Sequence, residues 1–357
     1  MSAPGHRLRP SRHALAALAG LWLSLSACDG PMTGREVETW RFAIEETAGS
    51  VQDAYAQRFK QRIEAETNGQ VRVVVYPYGA LGTSDNILEQ VHNGTLDLAM
   101  SSPGHLGKLI PEVQVFLLHF TLDADGEVNR CALSDPALKA ALDALYHQKG
   151  LRFLGAYPEG EMVWTTQRPV RAPRDFEGMK FRVMTSPLLI AAYEAYGANP
   201  TPLPYGEVYS GLQLGMIDGQ VNPVFAIEEM SFYEVTRWLI FPGLAHFVTT
   251  VAGGHEFFER LDDDRRALVQ RVLEELHPYV FEAQERFNRE RLATIGERKP
   301  SLQLLHLTAA ERAAFRRAAE PVRARFLEQA GAAGAQLLST LEAARTRCRG
   351  AGQAANR

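Results

Sequence analysis

The sequence predicts an α/β fold in two lobes, each built on a mainly parallel sheet. Three features carry that expectation. Segments of strand and helix period alternate as β-α-β-α-β between residues 40 and 100, the order that yields parallel strands with helices on both faces. The same alternation restarts near residue 180, after "APRDFEG" (172–178). Long helical stretches then close the chain.

The first strand begins at Trp40-Arg41-Phe42-Ala43-Ile44. Over residues 51–66, Tyr55, Phe59 and Ile63 recur at helical spacing, and Asn68-Gly69 stops that helix. Val71 to Tyr76 is a β-branched strand. Ser84 caps a helix through Val91, Asn93-Gly94 ends it, and Leu96 to Met100 is the next strand. In the second half, strand 180–184 leads into helix 187–196, closed by Gly197. An extended "ANPTPLP" follows, then a helix from Glu207 to Leu214 and a strand from Ile217 to Val221. Residues 262–297 read as a long amphipathic helix on Leu268, Val272, Leu276, Phe287 and Leu292, which Pro278 is expected to kink or split. Thr308 to Thr346 is helical again.

The chain opens on a processing segment. Arg7, Arg9 and Arg12 precede an apolar run from Ala14 to Leu25, too short to span a bilayer comfortably, as in a secretory signal. Leu25-Ser26-Ala27-Cys28 resembles a bacterial lipobox, in which Cys28 is lipidated and becomes the new N-terminus, and Asp29 resembles a signal for inner-membrane retention. The alternative is an ordinary cleavage site with Cys28 incidental. Removing residues 1–27 takes three arginines and no acid from totals of 38 basic and 42 acidic residues, leaving a net charge of −7. No basic face for nucleic acid is indicated. The remaining chain, about 310 residues, exceeds the usual single-domain size and points to two domains. Cys131 and Cys348 lack metal-ligand spacing. An oxidising compartment permits a bridge between them, but two separate thiols are the expectation, since Cys348 lies in a polar tail.

One pattern recurs at three strand-to-helix junctions: Ser101-Ser102-Pro103, Thr185-Ser186-Pro187 and Asn222-Pro223. Each offers a polar N-cap before proline, and capping alone suffices to explain Ser102 and Asn222. Three junctions spread over both lobes also define a shared cleft, because ligands of open α/β sheets sit beyond the carboxyl ends of strands. Arg182 lies at the carboxyl end of strand "KFRVM" just before one of these caps. Its guanidinium suits bidentate capture of a carboxylate, or a structural ion pair with Glu177 or Asp175.

Residues 178–223, "GMKFRVMTSPLLIAAYEAYGANPTPLPYGEVYSGLQLGMIDGQVNP", carry G-x-K-x-R-V, G-A-x-P-T-P, E-V-Y-x-x-L-Q and D-G-Q-x-N-P in order. With "NGQVRVVVYP", "ALGTSD" and "NGTLDLAM" in the first lobe, they resemble the DctP-type solute receptors of TRAP transporters. The resemblance implies a two-lobe periplasmic-binding-protein-like fold, with crossing hinge strands and a long helix spanning the lobes. It divides the chain into a signal peptide (1–27), a tether (28–37), lobe I (38–159 and 248–290), lobe II (160–247 and 291–346) and a polar tail (347–357). It assigns the substrate carboxylate to Arg182, a ligand hydrogen bond to Asn222, an aromatic wall to Tyr205, and a strand-end position near the ligand to Thr185. Ser102 faces the cleft from the first lobe. Glu45 or Glu46 falls where polar ligand contacts occur in the family; it binds an amino or hydroxyl group there, or is simply solvated. His105 reads as a loop residue.

Two departures from sialic-acid-type members narrow the ligand. A second arginine is replaced by Met162, and the glutamate before the asparagine by Val221. Losing both charges together is electrostatically coherent. Met162, Trp164, Val221 and Tyr205 then make the cleft apolar, with core packing the alternative for Met162 and Trp164. The expected ligand is a monocarboxylate with an apolar or aromatic remainder. The tryptophan-tyrosine pattern associated with metal-assisted keto-acid binding is missing, so no metal or other cofactor is expected. An enzyme is disfavoured, because there is no nucleophile elbow, H-E-x-x-H or phosphate loop. The resemblance implies the small and large TRAP membrane subunits as partners. A receptor-fold lipoprotein that senses or assembles with a helical-repeat protein is the alternative.

Overall fold

The computed structural model describes residues 37–355, so the expected signal peptide, Cys28 and nearly all of the expected tether lie outside it. The described chain forms β1 (Glu38–Ala43), α1 (Val51–Glu66), β2 (Val71–Tyr76), α2 (Ser84–His92), β3 (Leu98–Ser101), α3 (Pro103–Leu106), α4 (Gly126–Leu133), α5 (Pro136–His147) and β4 (Leu151–Glu161). It continues with β5 (Val163–Thr166), β6 (Lys180–Val183), α6 (Pro187–Glu194), β7 (Asn199–Pro202), α7 (Val208–Gln213), β8 (Gly219–Asn222), α8 (Val224–Glu229) and β9 (Trp238–Phe241). Last come β10 (His246–Gly254), α9 (His255–Arg260), α10 (Asp263–Arg298), β11 (Gln303–His306) and α11 (Ala309–Ala355).

The local chemistry sets these boundaries. The Ser50 hydroxyl accepts the Asp53 amide at 3.1 Å to start α1, whose Tyr55, Phe59 and Ile63 are buried. Asn68 and Gly69, both at positive φ, reverse the chain into β2. Thr308 and Glu311 exchange side-chain-to-backbone hydrogen bonds at the head of α11, a capping box.

One sheet has the order β2-β1-β3-β10-β4 and the other β11-β9-β5-β8-β6-β7. The pairs β1–β2, β1–β3, β6–β7, β6–β8 and β9–β11 are parallel. The antiparallel strands are those the chain carries across from the other sheet: β5, directly after β4, and β10, after β9. Between the two crossings the Met162 amide donates to the Ala245 carbonyl at 2.9 Å, so the pairing runs on through the hinge.

Three expectations require correction. Pro278 does not split α10 into two helices; the 36-residue helix runs through it. Buried Val272, Leu273 and Leu276 before it and Val280 and Phe281 after it continue one apolar stripe. That burial, roughly 1.5–3 kcal/mol per side chain, outweighs the ~3 kcal/mol cost of an interior proline. Cys131 and Cys348 are not separate thiols but form a disulfide between α4 and the end of α11. The expected polar tail is therefore helical to Ala355, with Cys348 buried beside Val128, Ala132 and Ala344. Gly331 breaks α11 at φ 58°, ψ −152°, a region only glycine enters freely. The Arg323–Glu342 ion pair spans this break at 2.6 Å, so α11 is two arms folded back on each other.

Candidate functional site

A cleft opens beyond the carboxyl ends of β1, β3, β6 and β8, between the two sheets. The chain leaves β1 at Ala43 and turns Glu45 into it. The Glu45 amide donates to Gln52 Oε1 at 2.8 Å, and one carboxylate oxygen accepts the Ser102 amide at 2.8 Å. The other oxygen, Glu45 Oε1, is buried with no partner among the described residues. Burial pushes this carboxyl up to about 6, with His105 and the Ser102 amide pulling the other way. Glu45 is 7 % exposed, which overturns the reading of it as a solvated acid.

Arg182 enters from the opposite wall, fixed by the parallel β6–β8 and β6–β7 ladders. It is 2 % exposed and donates through Nε and Nη2 to the Leu203 carbonyl, at 3.0 and 2.8 Å. Neither Glu177 nor Asp175 reaches it, and no ion pair to it is present among the described residues. Burial lowers its pKa to about 10. Asn222, 8 % exposed, donates to Gln220, which in turn donates to Thr165 Oγ1 at 3.0 Å. This relay holds the carboxamide in the cleft and leaves its oxygen available. Tyr205 closes the wall with a buried, unpartnered hydroxyl, its ring edge-on to Tyr78 and Phe232.

The expected capping roles do not hold. Neither the Ser102 nor the Asn222 side chain makes a cap hydrogen bond; α8 starts after Pro223, and the Ser102 hydroxyl lies 4.0 Å from Met184 Sδ. Of the three junctions, Ser186 alone caps its helix through its side chain, weakly, from the Leu189 amide at 3.4 Å.

The cleft brings together Glu45, Ser102, Arg182, Tyr205 and Asn222. Met162 and Val221 do not line the cleft itself but an adjoining small apolar void with Tyr193, which shares Met184 and Phe247 with the cleft. Trp164 is core: its indole donates to the Tyr193 hydroxyl at 3.0 Å and its ring packs edge-on against Phe176 and Phe315. Thr185 has a buried, unpartnered hydroxyl but does not line the cleft. His105 is more than a loop residue, since it lines the cleft with Nδ1 3.0 Å from Asp85.

Sequence reasoning named Glu46 beside Glu45 but missed Glu159 and Glu229, which gather with it. Gln52 Nε2 donates to Glu159 and to Thr249, both at 3.1 Å, and the Gln52 amide donates to Glu46. Burial and the adjacent Glu159 carboxylate hold Glu46 well above the usual range. Glu229 is pushed up to about 7 by burial, while Thr47 donates to it across the cleft from its amide and its hydroxyl. These acids come from separate turns of sequence, and no local pattern joins them. The lobes also touch where the Gly206 amide donates to Tyr78 Oη at 3.2 Å and the Ser186 hydroxyl donates to Gln114 at 3.3 Å.

Residues 42–330 match the family model described as bacterial extracellular solute-binding protein, family 7. The ectoine/5-hydroxyectoine-binding periplasmic protein UehA of Ruegeria pomeroyi is 40% identical over 312 residues, covering 87% of this chain and 91% of that protein. The ectoine-binding periplasmic protein TeaA of Halomonas elongata is 38% identical over 329 residues, covering 92% and 94%. The high-resolution structure of that ectoine-binding protein superposes with a TM-score of 0.84 over 87% of this chain and all of that one, at 38% identity. An apo open TRAP solute-binding protein from Marinobacter aquaeolei VT8 gives 0.80 at 43% identity, covering 85% and 99%. Among the described residues no helix is long and apolar enough to cross a membrane. The chain belongs to the DctP family of bacterial extracellular solute-binding proteins and is a periplasmic solute receptor of the TRAP-transporter type.

Proposed function

We propose that this receptor binds a small zwitterion of the ectoine class and hands it to a TRAP permease. The observation that carries this is the pair of opposite, buried charges in one cleft, Arg182 and Glu45, neither with an ionic partner among the described residues. A buried charge without a partner is strongly destabilising, so each wall is completed by a ligand of opposite sign. Ectoine and 5-hydroxyectoine carry a carboxylate and a ring amidinium on one small frame. The carboxylate meets the Arg182 guanidinium in bidentate fashion, with Asn222 and Tyr205 beside it. The amidinium donates to Glu45 Oε1 and draws that carboxyl into its ionised form. The names of the two relatives above support the same class.

This reading revises the expectation of an apolar or aromatic remainder. Met162 and Val221 line an adjoining void rather than the cleft that holds Arg182 and Glu45, and Glu45 supplies the charge that an apolar tail would leave unmet. The lobes divide at the crossings β4–β5 and β9–β10, so closure is a hinge movement about these strands. A lipid anchor on Cys28 would tether the body to the inner membrane; mass spectrometry of the mature N-terminus tests it.

Titration calorimetry with ectoine, 5-hydroxyectoine, benzoate and pyruvate decides between the readings. The ectoines bind saturably, and the two carboxylates without a cation bind at least about tenfold more weakly. Tighter binding of benzoate than of ectoine would reinstate the apolar ligand.

A further inference from the structure

A second cavity, about 490 Å³, lies apart from the cleft and is framed by the hinge and both arms of α11. Four arginines line it: Arg312 and Arg316 from the first arm, Arg345 and Arg349 from the second. Each pair is spaced i, i+4, where like charges repel and weaken a helix. The fold at Gly331 then turns both pairs toward the same space.

Acids do not account for this charge. Arg349 is paired with Asp123 at 2.9 Å. Arg312, Arg316 and Arg345 have no salt bridge among the described residues. The first donates to the Leu307 carbonyl at 2.8 Å and the last to the carbonyls of Phe120 and Thr121, at 3.0 and 2.5 Å. Arg316 lies 4.1 Å over the Phe120 ring. The remaining acid, Glu161, accepts the Gly243 amide at 2.6 Å, and its burial favours the neutral form. The backbone is shaped around the guanidinium groups. Gly243 is at φ 64°, and a Cβ there would stand 3.0 Å from Arg312 Cδ. Phe120 is held at φ 65°, a strained conformation for a bulky residue.

We propose that this cavity is a second ligand site, for a small multivalent oxyanion such as a tricarboxylate or a pyrophosphate. Guanidinium forks match such oxygens bidentately, and the concave wall holds more positive than negative charge. The site touches both crossings, through Glu161 on one and Gly243 and His246 on the other. An anion bridging the two arms therefore stiffens the hinge that closes the cleft.

Citrate and pyrophosphate, titrated separately at constant ionic strength into the wild-type protein, test the proposal. Either or both bind one to one, and the arm that responds distinguishes carboxylate from phosphate chemistry. Binding persists in Arg182→Ala, which separates this site from the cleft. It falls by about tenfold or more in Arg312→Gln/Arg316→Gln and by a smaller factor in Arg316→Gln alone, a surface change that leaves the Leu307 contact intact. No saturable binding of either anion, undiminished binding in the double variant, or loss of binding in Arg182→Ala would each overturn it.

Discussion

The two walls of the cleft carry the same kind of tension with opposite sign. On one, Arg182 is buried against a backbone carbonyl and its pKa is lowered to about 10. On the other, Glu45 is buried against a backbone amide and its carboxyl is raised to about 6. The walls differ in what supports them. Arg182 stands alone, while Glu45 is backed by Gln52 and by the buried acids Glu46 and Glu159. The guanidinium stays charged at any physiological pH, so the lobe II wall is a fixed anchor. The lobe I wall is adjustable, because its charge depends on pH and on what faces it.

The largest expected effect comes from removing the fixed anchor. Arg182→Ala lowers ligand affinity by about 2–5 kcal/mol, since the ligand carboxylate is left buried and unpaired. Arg182→Lys does not restore it, because an ammonium lacks the planar fork. The empty Arg182→Ala protein unfolds at the same temperature as the wild type or higher, having lost an uncompensated buried charge. Thermal melts with and without ligand measure both quantities. A variant that binds with wild-type affinity would remove Arg182 from the site.

Next comes the adjustable wall. Glu45→Gln keeps the shape and the Ser102 contact but removes the charge, so affinity for a zwitterion falls by about 1.5–3 kcal/mol. Affinity for a carboxylate without a cation is unchanged or improved. Calorimetry on both ligands isolates the charge from the packing.

A pH series is gentler still. The zwitterion requires ionised Glu45, which is complete above the free-state value of about 6. Affinity is therefore flat above it and falls up to about tenfold per unit below it. The stability of the empty protein runs the other way. Glu45 is raised from 4.5 to about 6 on folding. Its contribution is fully present below pH 4.5 and is lost as pH rises through 6, about 2 kcal/mol in all. Glu229, raised to about 7, extends the same loss upward and acts on closure through Thr47. Glu45→Gln flattens the lower part of both profiles; profiles identical to wild type would assign the titration to another group.

Much of this was legible in the sequence. Helix α1 falls on the residues that Tyr55, Phe59 and Ile63 define, and β6 falls within the expected strand 180–184, one residue shorter, because period and caps are local. The position of Arg182 at a strand end was local as well. What stayed hidden depends on contacts distant in sequence. Cys131 and Cys348 are 217 residues apart and meet only because α11 folds back at Gly331. That α10 is not split at Pro278 was hidden because interior helix strain is local while the stripe that offsets it is tertiary. Glu45 reads as a surface acid until β3 brings the Ser102 amide beneath it.

Met162 shows the same limit from the other side and supports the smallest prediction. The resemblance to sialic-acid-type receptors sets it where they carry a second arginine, yet its side chain lines the adjoining apolar void with Val221, Met184 and Phe247. Met162→Ala should leave ligand affinity within about 0.5 kcal/mol of wild type. It should lower the unfolding free energy by up to about 2 kcal/mol, toward the low end of methionine truncations because Met162 is half-buried. Met162→Arg is the sharper variant. An arginine there has no acid to meet, since Val221 stands where other members carry glutamate, so it destabilises the fold before it alters specificity. If Met162→Ala weakened ectoine binding more than it weakened the fold, the void would be part of the site and the cleft would extend past Met184.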